Sequence, residues 1–478
     1  MNNEKNLINI SKKSFLSVII ILFVLMVAAG ILTKVIPAGE YARDAEGAII
    51  SDDFHYLTEN VGLAFWKWAL APFLVFGSSD GLTIAMISLF LLILGGAFSV
   101  MDKTGGIRVI IDKLINRFKE RKYTLMRLII LVFMVFGAFF GIFEESVALL
   151  PIIILLSLSL GWDTMVGIGM CLLAAGFGFA SGITNPFSVG IASQIAGVNL
   201  LDGVLYRLLI FGVMYLMLST FLVSYAKKIE KDPSRSPSFA IDSQKSKDFG
   251  ELEEIPYKNK SLILKSYVIM FSSVLLVVII SSLLDLFAGL SIPTIPLMAL
   301  AFLIGGLLSG YLITRDFRKT LAYFLKGALS VAPAVLLIMM AASIKYIITT
   351  GCVMDTILYK LSGLLSGQSP VVAILMIYGL VLSVQFFIGS ASAKAYLIMP
   401  LLVPLVSIIG ISKELSILAF IFGDGYTNVI FPTNAVLLIG LSIASVNYTT
   451  WLKFTWKLQV ATLLLTITLL IVGYYIGY

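Results

Sequence analysis

Residues 423–434 read Gly-Asp-Gly-Tyr-Thr-Asn-Val-Ile-Phe-Pro-Thr-Asn and interrupt an apolar run that otherwise extends from 412 to 446. In hydrocarbon an unpaired backbone N–H or C=O costs several kcal/mol, so a broken helix at membrane depth survives only against protein or a wet cavity. Three more polar interruptions follow the same plan. Ser181-Gly182-Ile183-Thr184-Asn185-Pro186 breaks the run 163–199, while Gly141-Ile142-Phe143-Glu144-Glu145-Ser146 and Gly389-Ser390-Ala391-Ser392-Ala393-Lys394 tip the stretches 124–160 and 370–410. Glycine turns the chain and lets a ligand approach backbone, and Ser, Thr and Asn offer hydrogen bonds and ion ligands. Each break also exposes half-helix N-termini that favour a carboxylate, and facing C-terminal carbonyls that suit a cation.

The composition fits this reading. Of 478 residues, 59% are hydrophobic and 13% charged, whereas soluble domains carry about 25% charged residues. The net charge of +7 could suggest nucleic acid, but the basic residues cluster between apolar segments, where they orient a membrane protein. Nucleic acid is therefore excluded as a partner and the bilayer is expected as one. Cys171 and Cys352 stand singly, which argues against a disulfide framework or a thiolate metal site. The run from Ser14 to Ile36 is too long for a signal-peptide core and reads as an uncleaved first helix.

A hydrocarbon core of about 30 Å needs roughly 20 apolar residues per helix. Full crossings are expected at 14–36, 81–101, 163–199, 203–226, 265–287, 293–313, 331–350, 412–446 and 452–477, with 124–160 and 370–410 as re-entrant hairpins. The fold class is thus an all-α integral membrane protein with about nine crossings, two hairpins and two discontinuous helices. With the N-terminus in the cytoplasm, 26 of the 34 basic residues fall on that side, in 1–13, 102–127, 226–265, 313–326 and 447–457. The acidic loop 38–78 lies opposite, and the C-terminus ends outside.

Pro151 and Gly161 recur as Pro400 and Gly410 after 249 residues, and Phe139-Phe140 recurs as Phe386-Phe387 after 247. The same shift carries 81–101 onto 330–350 and 203–226 onto 452–475. Because the extra segment 293–313 reverses direction, the repeats are inverted, a plan that recurs in secondary transporters. The halves are 1–227 and 263–478, joined by a polar cytoplasmic linker at 228–262. Residues 108–122 mix apolar and basic side chains and suit a helix lying on the inner leaflet.

Ionisable residues near the midplane are costly and usually mark function. Here they are Glu144, Glu145, Asp424 and Lys394. By the repeat offset Glu145 is equivalent to Lys394, which leaves two readings. They form a structural ion pair, or Lys394 attracts an anionic solute while a Glu or Asp424 binds a coupling proton or cation. Solute-binding candidates are Glu144, Glu145, Ser146, Thr184, Asn185, Ser390, Ser392, Lys394, Thr427, Asn428, Thr433 and Asn434. Ion-coupling candidates are Glu144, Glu145, Asn185, Asp424 and Asn428. Residues 389–394 lack the second glycine and the Ser/Thr of a phosphate loop. The single histidine, His55, lies in the outer loop, so an in-membrane triad or zinc site is excluded. Lys345 and Arg207 are expected to snorkel at span ends.

The chain resembles the YfcC-like and C4-dicarboxylate anaerobic carrier family of bacterial membrane transporters, within the wider ion transporter superfamily. The resemblance covers nearly the whole length. It rests on residues 36–41 (Ile-Pro-Ala-Gly-Glu-Tyr), 141–145, 185–192 (Asn-Pro-Phe-Ser-Val-Gly-Ile-Ala) and 231–234 (Lys-Asp-Pro-Ser), and on 422–425 (Phe-Gly-Asp-Gly) with Thr427-Asn428 and Pro432-Thr433. It implies a secondary carrier of the bacterial cytoplasmic membrane whose hairpins and broken helices form an elevator-like transport domain on a dimerising scaffold. No catalytic activity, cofactor or metal is implied, and transport would be driven by a cation gradient, with Na+ or H+ as the coupling ion, or by countertransport. Where the family's second tip usually reads Ser-Gly-Ser-Gly-Gln-Ala, this chain has Ser390-Ala391-Ser392-Ala393-Lys394-Ala395, and a cation replaces a neutral Gln. That substitution favours a carboxylate-bearing solute such as a C4-dicarboxylate. An arginine/ornithine-type amino-acid exchanger, which Glu144 and Glu145 would suit, is the alternative. A channel is the rival of another class.

Overall fold

Small residues bring the long helices together. The computed structural model describes residues 12–43, 49–57, 62–243, 259–288, 293–365 and 367–478. In chain order the helices are α1 (Lys12–Val35), α2 (Phe65–Leu74), α3 (Gly81–Lys103), α4 (Gly106–Phe118), α5 (Lys122–Val135), α6 (Leu150–Ser159), α7 (Thr164–Ile168), α8 (Ala174–Ser181), α9 (Ile191–Ala196) and α10 (Val204–Lys231). The second half supplies α11 (Lys260–Ala288), α12 (Thr294–Thr314), α13 (Phe317–Thr350), α14 (Met354–Leu365), α15 (Pro370–Phe387), α16 (Ala391–Ile409), α17 (Lys413–Gly425), α18 (Ala435–Ala444) and α19 (Tyr448–Tyr475). Ten described helical segments are long and apolar enough to cross a membrane.

The repeat equivalents α3 and α13 pack along each other, with α12 and α1 alongside. A Cβ at Gly327 would stand 2.3 Å from the Gly95 carbonyl oxygen, so only glycine permits this approach, the usual route to tight helix pairing in lipid. These helices form a scaffold. Against it lies a second body whose centre is the two broken helices, buried continuously over 162–183 and 415–429. They cross where they break, since a Cβ on Gly425 would lie 2.1 Å from the Ala180 Cα.

The two hairpins enter from opposite ends of this body. At one end the Tyr123 and Trp162 rings lie 5.9 Å apart, and Lys122 and Tyr123 both bond Glu230 near the end of α10. The stretch 124–160 therefore begins and finishes on one side. At the other end, Tyr206 donates to the Leu469 carbonyl (2.7 Å) and Ser412 to that of Tyr478. Gln385 meets Asn428 at the second break (2.7 Å), whereas Tyr378 meets Thr466 (2.8 Å), toward the Tyr478 end. Both arms of 370–410 thus run from the Tyr478 level to the break and back.

Several segments differ from the sequence reading. The acidic loop 38–78 contains an antiparallel hairpin, β1 (Gly39–Arg43) with β2 (Ile49–Tyr56), followed by α2. It is fastened to α14 by Arg43–Asp355 (3.0 Å) and by Phe54 stacked on Tyr359 at 4.1 Å. The span expected at 331–350 begins at Phe317, because Asp316 caps the helix by accepting from Lys319 N (3.1 Å) and no breaker follows before Pro333. Helix α14 sits at the repeat equivalent of α4 and is amphipathic, hence invisible to a search for long apolar runs. Part of the linker 228–262 is folded. Ser236 donates to Asp163 (2.7 Å), and Asp242 accepts from Thr164 N (3.1 Å) and from the Ser238 hydroxyl (2.6 Å). Tyr225, Val166 N and Ser236 all donate to the Asp163 carboxylate (2.5, 2.8 and 2.7 Å). Residues 1–11 and 244–258, used in the charge count, lie outside the described residues. Arg207 does not snorkel. It is 1% exposed and donates to the Leu200 carbonyl (2.5 Å), while Lys345 pairs with Asp80 (2.6 Å).

Overpacking a tight contact costs about 1–3 kcal/mol. Gly425→Ala is expected to lower the melting temperature of the purified protein. Gly379→Ala, with nothing within 4 Å of its new Cβ, is expected to leave it unchanged or slightly higher, as read by thermal unfolding in detergent.

Candidate substrate-binding site

The first break is closed by the first hairpin. Helix α8 ends at Gly182, φ +39°, and the N–H groups of Ile183, Thr184 and Asn185 all donate to the Ala138 carbonyl (2.9, 3.1 and 3.1 Å). A wide π-helical turn at Phe136–Phe140 frees carbonyls at this tip. Two side chains complete the lacing. Thr184 Oγ1 donates to the Phe139 carbonyl (3.1 Å) and Asn185 Nδ2 to that of Gly137 (3.4 Å), while Asn185 Oδ1 caps the next half-helix by accepting from Phe187 N (2.9 Å). Thr184 and Asn185 thus satisfy backbone. Ser146 likewise donates to the Phe143 carbonyl (2.5 Å) and lies beside an apolar pocket.

The second break is closed by its own amides. Thr427 Oγ1 donates to the Gly423 carbonyl (2.8 Å) and Asn428 Nδ2 to that of Asp424 (2.9 Å). Asn428 Oδ1 accepts from Gln385 Nε2 (2.7 Å) and Asn434 Nδ2 (2.9 Å), and Asn434 Oδ1 caps α18 by accepting from Leu437 N (3.1 Å). Gln385, the one amide in an otherwise apolar arm, was not among the expected site residues.

Both tips and the second break surround a cavity of about 410 Å³. Glu144 reaches in from the first tip, Ser390 and Ser392 line it from the second, and Asn428 and Asn434 line its floor. The facing wall comes from the scaffold, with Thr83, Met86 and Pro296. Phe143, Phe179 and Phe187 add an apolar surface that no polar motif announced. Glu144 is the sole ionisable lining residue among those described. Thr433 is half-buried and outside the lining, and the side chain of Glu145 lies outside the described residues.

Lys394 is not in the cavity. Its ammonium lies 2.5 Å from Asp424 Oδ1, and both side chains are 0% exposed. The ammonium thus meets Asp424 and does not reach the cavity, where the anion-binding reading would put it, while the side chain of Glu145, the other expected partner, lies outside the described residues. The repeat offset matches positions within equivalent hairpins, but the contact runs from α16 to α17 inside one half. Beyond the start of α16 a second cavity of about 570 Å³ is lined by Glu40, Arg43, Asp355 and Cys352. The Cys352 thiol donates to Glu40 Oε1 (3.1 Å) and is pushed up to about 11, first by burial and then by that carboxylate.

A helical, multi-pass body with a polar cavity between paired tips and scaffold defines a membrane transporter. The chain matches the C4-dicarboxylate anaerobic carrier family, DcuC, over residues 15–475 and belongs to it. It is 32% identical over 79% of its length, and 75% of the relative's, to YfcC of Escherichia coli (strain K12), a provisionally assigned basic amino acid antiporter. It is 27% identical over 81% of its length to an uncharacterised protein of Haemophilus influenzae, covering 75% of that chain. Two solved transporters align along nearly the whole chain at low similarity. They are Alcanivorax borkumensis YdaH, 17% identical with a TM-score of 0.43 over 97% of this chain and 98% of that one, and Neisseria gonorrhoeae MtrF, 16% identical with a TM-score of 0.44 over 96% and 95%.

Asn428→Ala leaves two buried amides without an acceptor, each worth about 1–3 kcal/mol. A lower melting temperature is expected, with the loss in Asn428→Ala/Gln385→Ala smaller than the sum of the single losses, as read by a double-mutant cycle.

Proposed function

We propose that the chain is an exchanger of small amino acids with a cationic side chain, and that Glu144 binds the cationic group. The carrying observation is the charge of the cavity, where Glu144 is the only ionisable lining residue described. A solute ammonium or guanidinium would neutralise that carboxylate. The solute's own carboxylate has a place at the N-terminus of α16, where Ser390 already accepts from Ala393 N (3.4 Å) and the remaining first-turn N–H groups lack helical partners. The provisional assignment of YfcC as a basic amino acid antiporter supports the same reading.

The rival within the class is a C4-dicarboxylate, after which the family is named. One observation favours it, because two helix N-termini, those of α16 and α18, face the one cavity. A dicarboxylate would stand beside the Glu144 carboxylate, and like charges repel, so this reading requires a protonated Glu144.

The movement we infer is elevator-like. The cavity lies between the body that carries both tips and the scaffold of α3 and α12, so a sliding body would carry the solute past a fixed wall. An N-terminus in the cytoplasm of a bacterium, a C-terminus outside and assembly as a homodimer are part of the proposal, the orientation being supported by the basic-residue asymmetry of the loops. Proteoliposomes loaded with arginine, ornithine or succinate test the substrate. Labelled arginine is expected to exchange, and Glu144→Gln to lower its uptake about 30-fold or more. Exchange of succinate alone, kept or raised in Glu144→Gln, would overturn the amino-acid reading in favour of the dicarboxylate.

A further inference from the structure

The Asp424 carboxylate is fully buried and, among the described residues, accepts a hydrogen bond from Lys394 alone. Its one compensation is the Lys394 ammonium at 2.5 Å. A buried carboxylate in that position demands a cation, since an isolated ion in a low-dielectric interior is far too costly. The demand is reinforced by its place. Asp424 is the penultimate residue of α17, where the helix dipole is negative and the last carbonyls have no helical donor. The Gly423 and Asp424 carbonyls are turned toward the Thr427 hydroxyl and the Asn428 amide instead. Residues 186–190 and α9, which pack against both α16 and α17, carry the buried hydroxyls of Ser188 and Ser193, and neither has a hydrogen-bond partner among the described residues. The break thus gathers a carboxylate and the negative end of a helix, with two unpartnered hydroxyls on the elements packed against it, all groups that favour a cation.

We propose that the Lys394 ammonium is a tethered cation occupying an alkali-cation pocket at the Asp424 break, so that the carrier needs no alkali coupling ion and loss of the ammonium opens the pocket to a free one. The pair stands outside the solute cavity, and both partners belong to the body that carries the tips. The body's charge at this point is therefore constant through a transport cycle. Exchange of one solute for another supplies the driving force. The inference does not depend on which solute is carried.

The test compares the purified full chain with Lys394→Gln and Lys394→Gln/Asp424→Asn. Melting temperature and binding of radiolabelled Na+ are read in about 100 mM choline, Na+, K+ or Li+ chloride at equal ionic strength. The wild type is expected to bind no Na+ and to melt alike in all four salts. Lys394→Gln is expected to melt lower in choline and to regain about 3 °C or more in one alkali salt, saturably. The double variant is expected to lose that response. Saturable Na+ binding or a Na+-dependent melting shift in the wild type would overturn the proposal, and so would a folded Lys394→Gln indifferent to all three alkali ions. Should Lys394→Gln fail to fold, the wild-type measurements decide it.

Discussion

The structure depends on one constraint, that a backbone hydrogen-bonding group freed at membrane depth must find a partner inside the protein. Two helices are interrupted to create a polar cavity, and each interruption strands a set of donors and acceptors. The Ala138 carbonyl receives three N–H groups from the first break. It can do so because the wide turn ahead of Gly141 leaves that carbonyl unclaimed by its own helix. Hairpin and broken helix are therefore laced together by shared hydrogen bonds. The second half solves the same problem with side chains, through Asn428 bridging Gln385, Asn434 and the Asp424 carbonyl.

From this follows the division of labour among the polar residues. Thr184, Asn185, Ser146 and Thr427 are chemically capable of binding a solute, but their groups are engaged with backbone carbonyls or N–H groups. The cavity receives what is left over: the Glu144 carboxylate, the Ser390 and Ser392 hydroxyls, and parts of the Asn428 and Asn434 amides. The cavity thus presents few polar groups against an aromatic and proline-lined wall, a composition common in small-molecule sites.

Much of this was legible in the sequence. The four interruptions, the hairpins and the pairing of 81–101 with 330–350 follow from apolar run lengths and the offset of Pro151 and Pro400, because hydrocarbon forces long apolar helices and makes any break conspicuous. The β-hairpin over 39–56 and the helix α14 were not legible, since they lie outside the apolar segments and obey no membrane-length rule. Within the site, residue types were legible and roles were not. An Asn that caps a half-helix and an Asn that faces a cavity have the same spelling, and only the fold says that Asn185 does the first while Asn434 does both. The partner of Lys394 was hidden for a related reason, as the offset finds equivalence between halves whereas Lys394 and Asp424 meet within one.

The two charged centres differ in what surrounds them, and that difference governs the chemistry. Lys394 and Asp424 compensate each other where no solvent reaches, so together they present almost no net field to the cavity beyond their dipole. Glu144 faces open space with no basic neighbour among the described lining residues, so its charge is compensated by whatever enters. Had Lys394 faced the cavity, the site would carry opposite charges on its two tips and would suit an anion as well as a cation. With the ammonium sealed against Asp424, the asymmetry belongs to Glu144 alone. An empty cavity then holds an unpaired carboxylate, and translocating it without a compensating cation or proton is unfavourable. In the proposed exchanger, that physical penalty on the empty carrier is what would couple inward and outward movement and favour exchange over uniport.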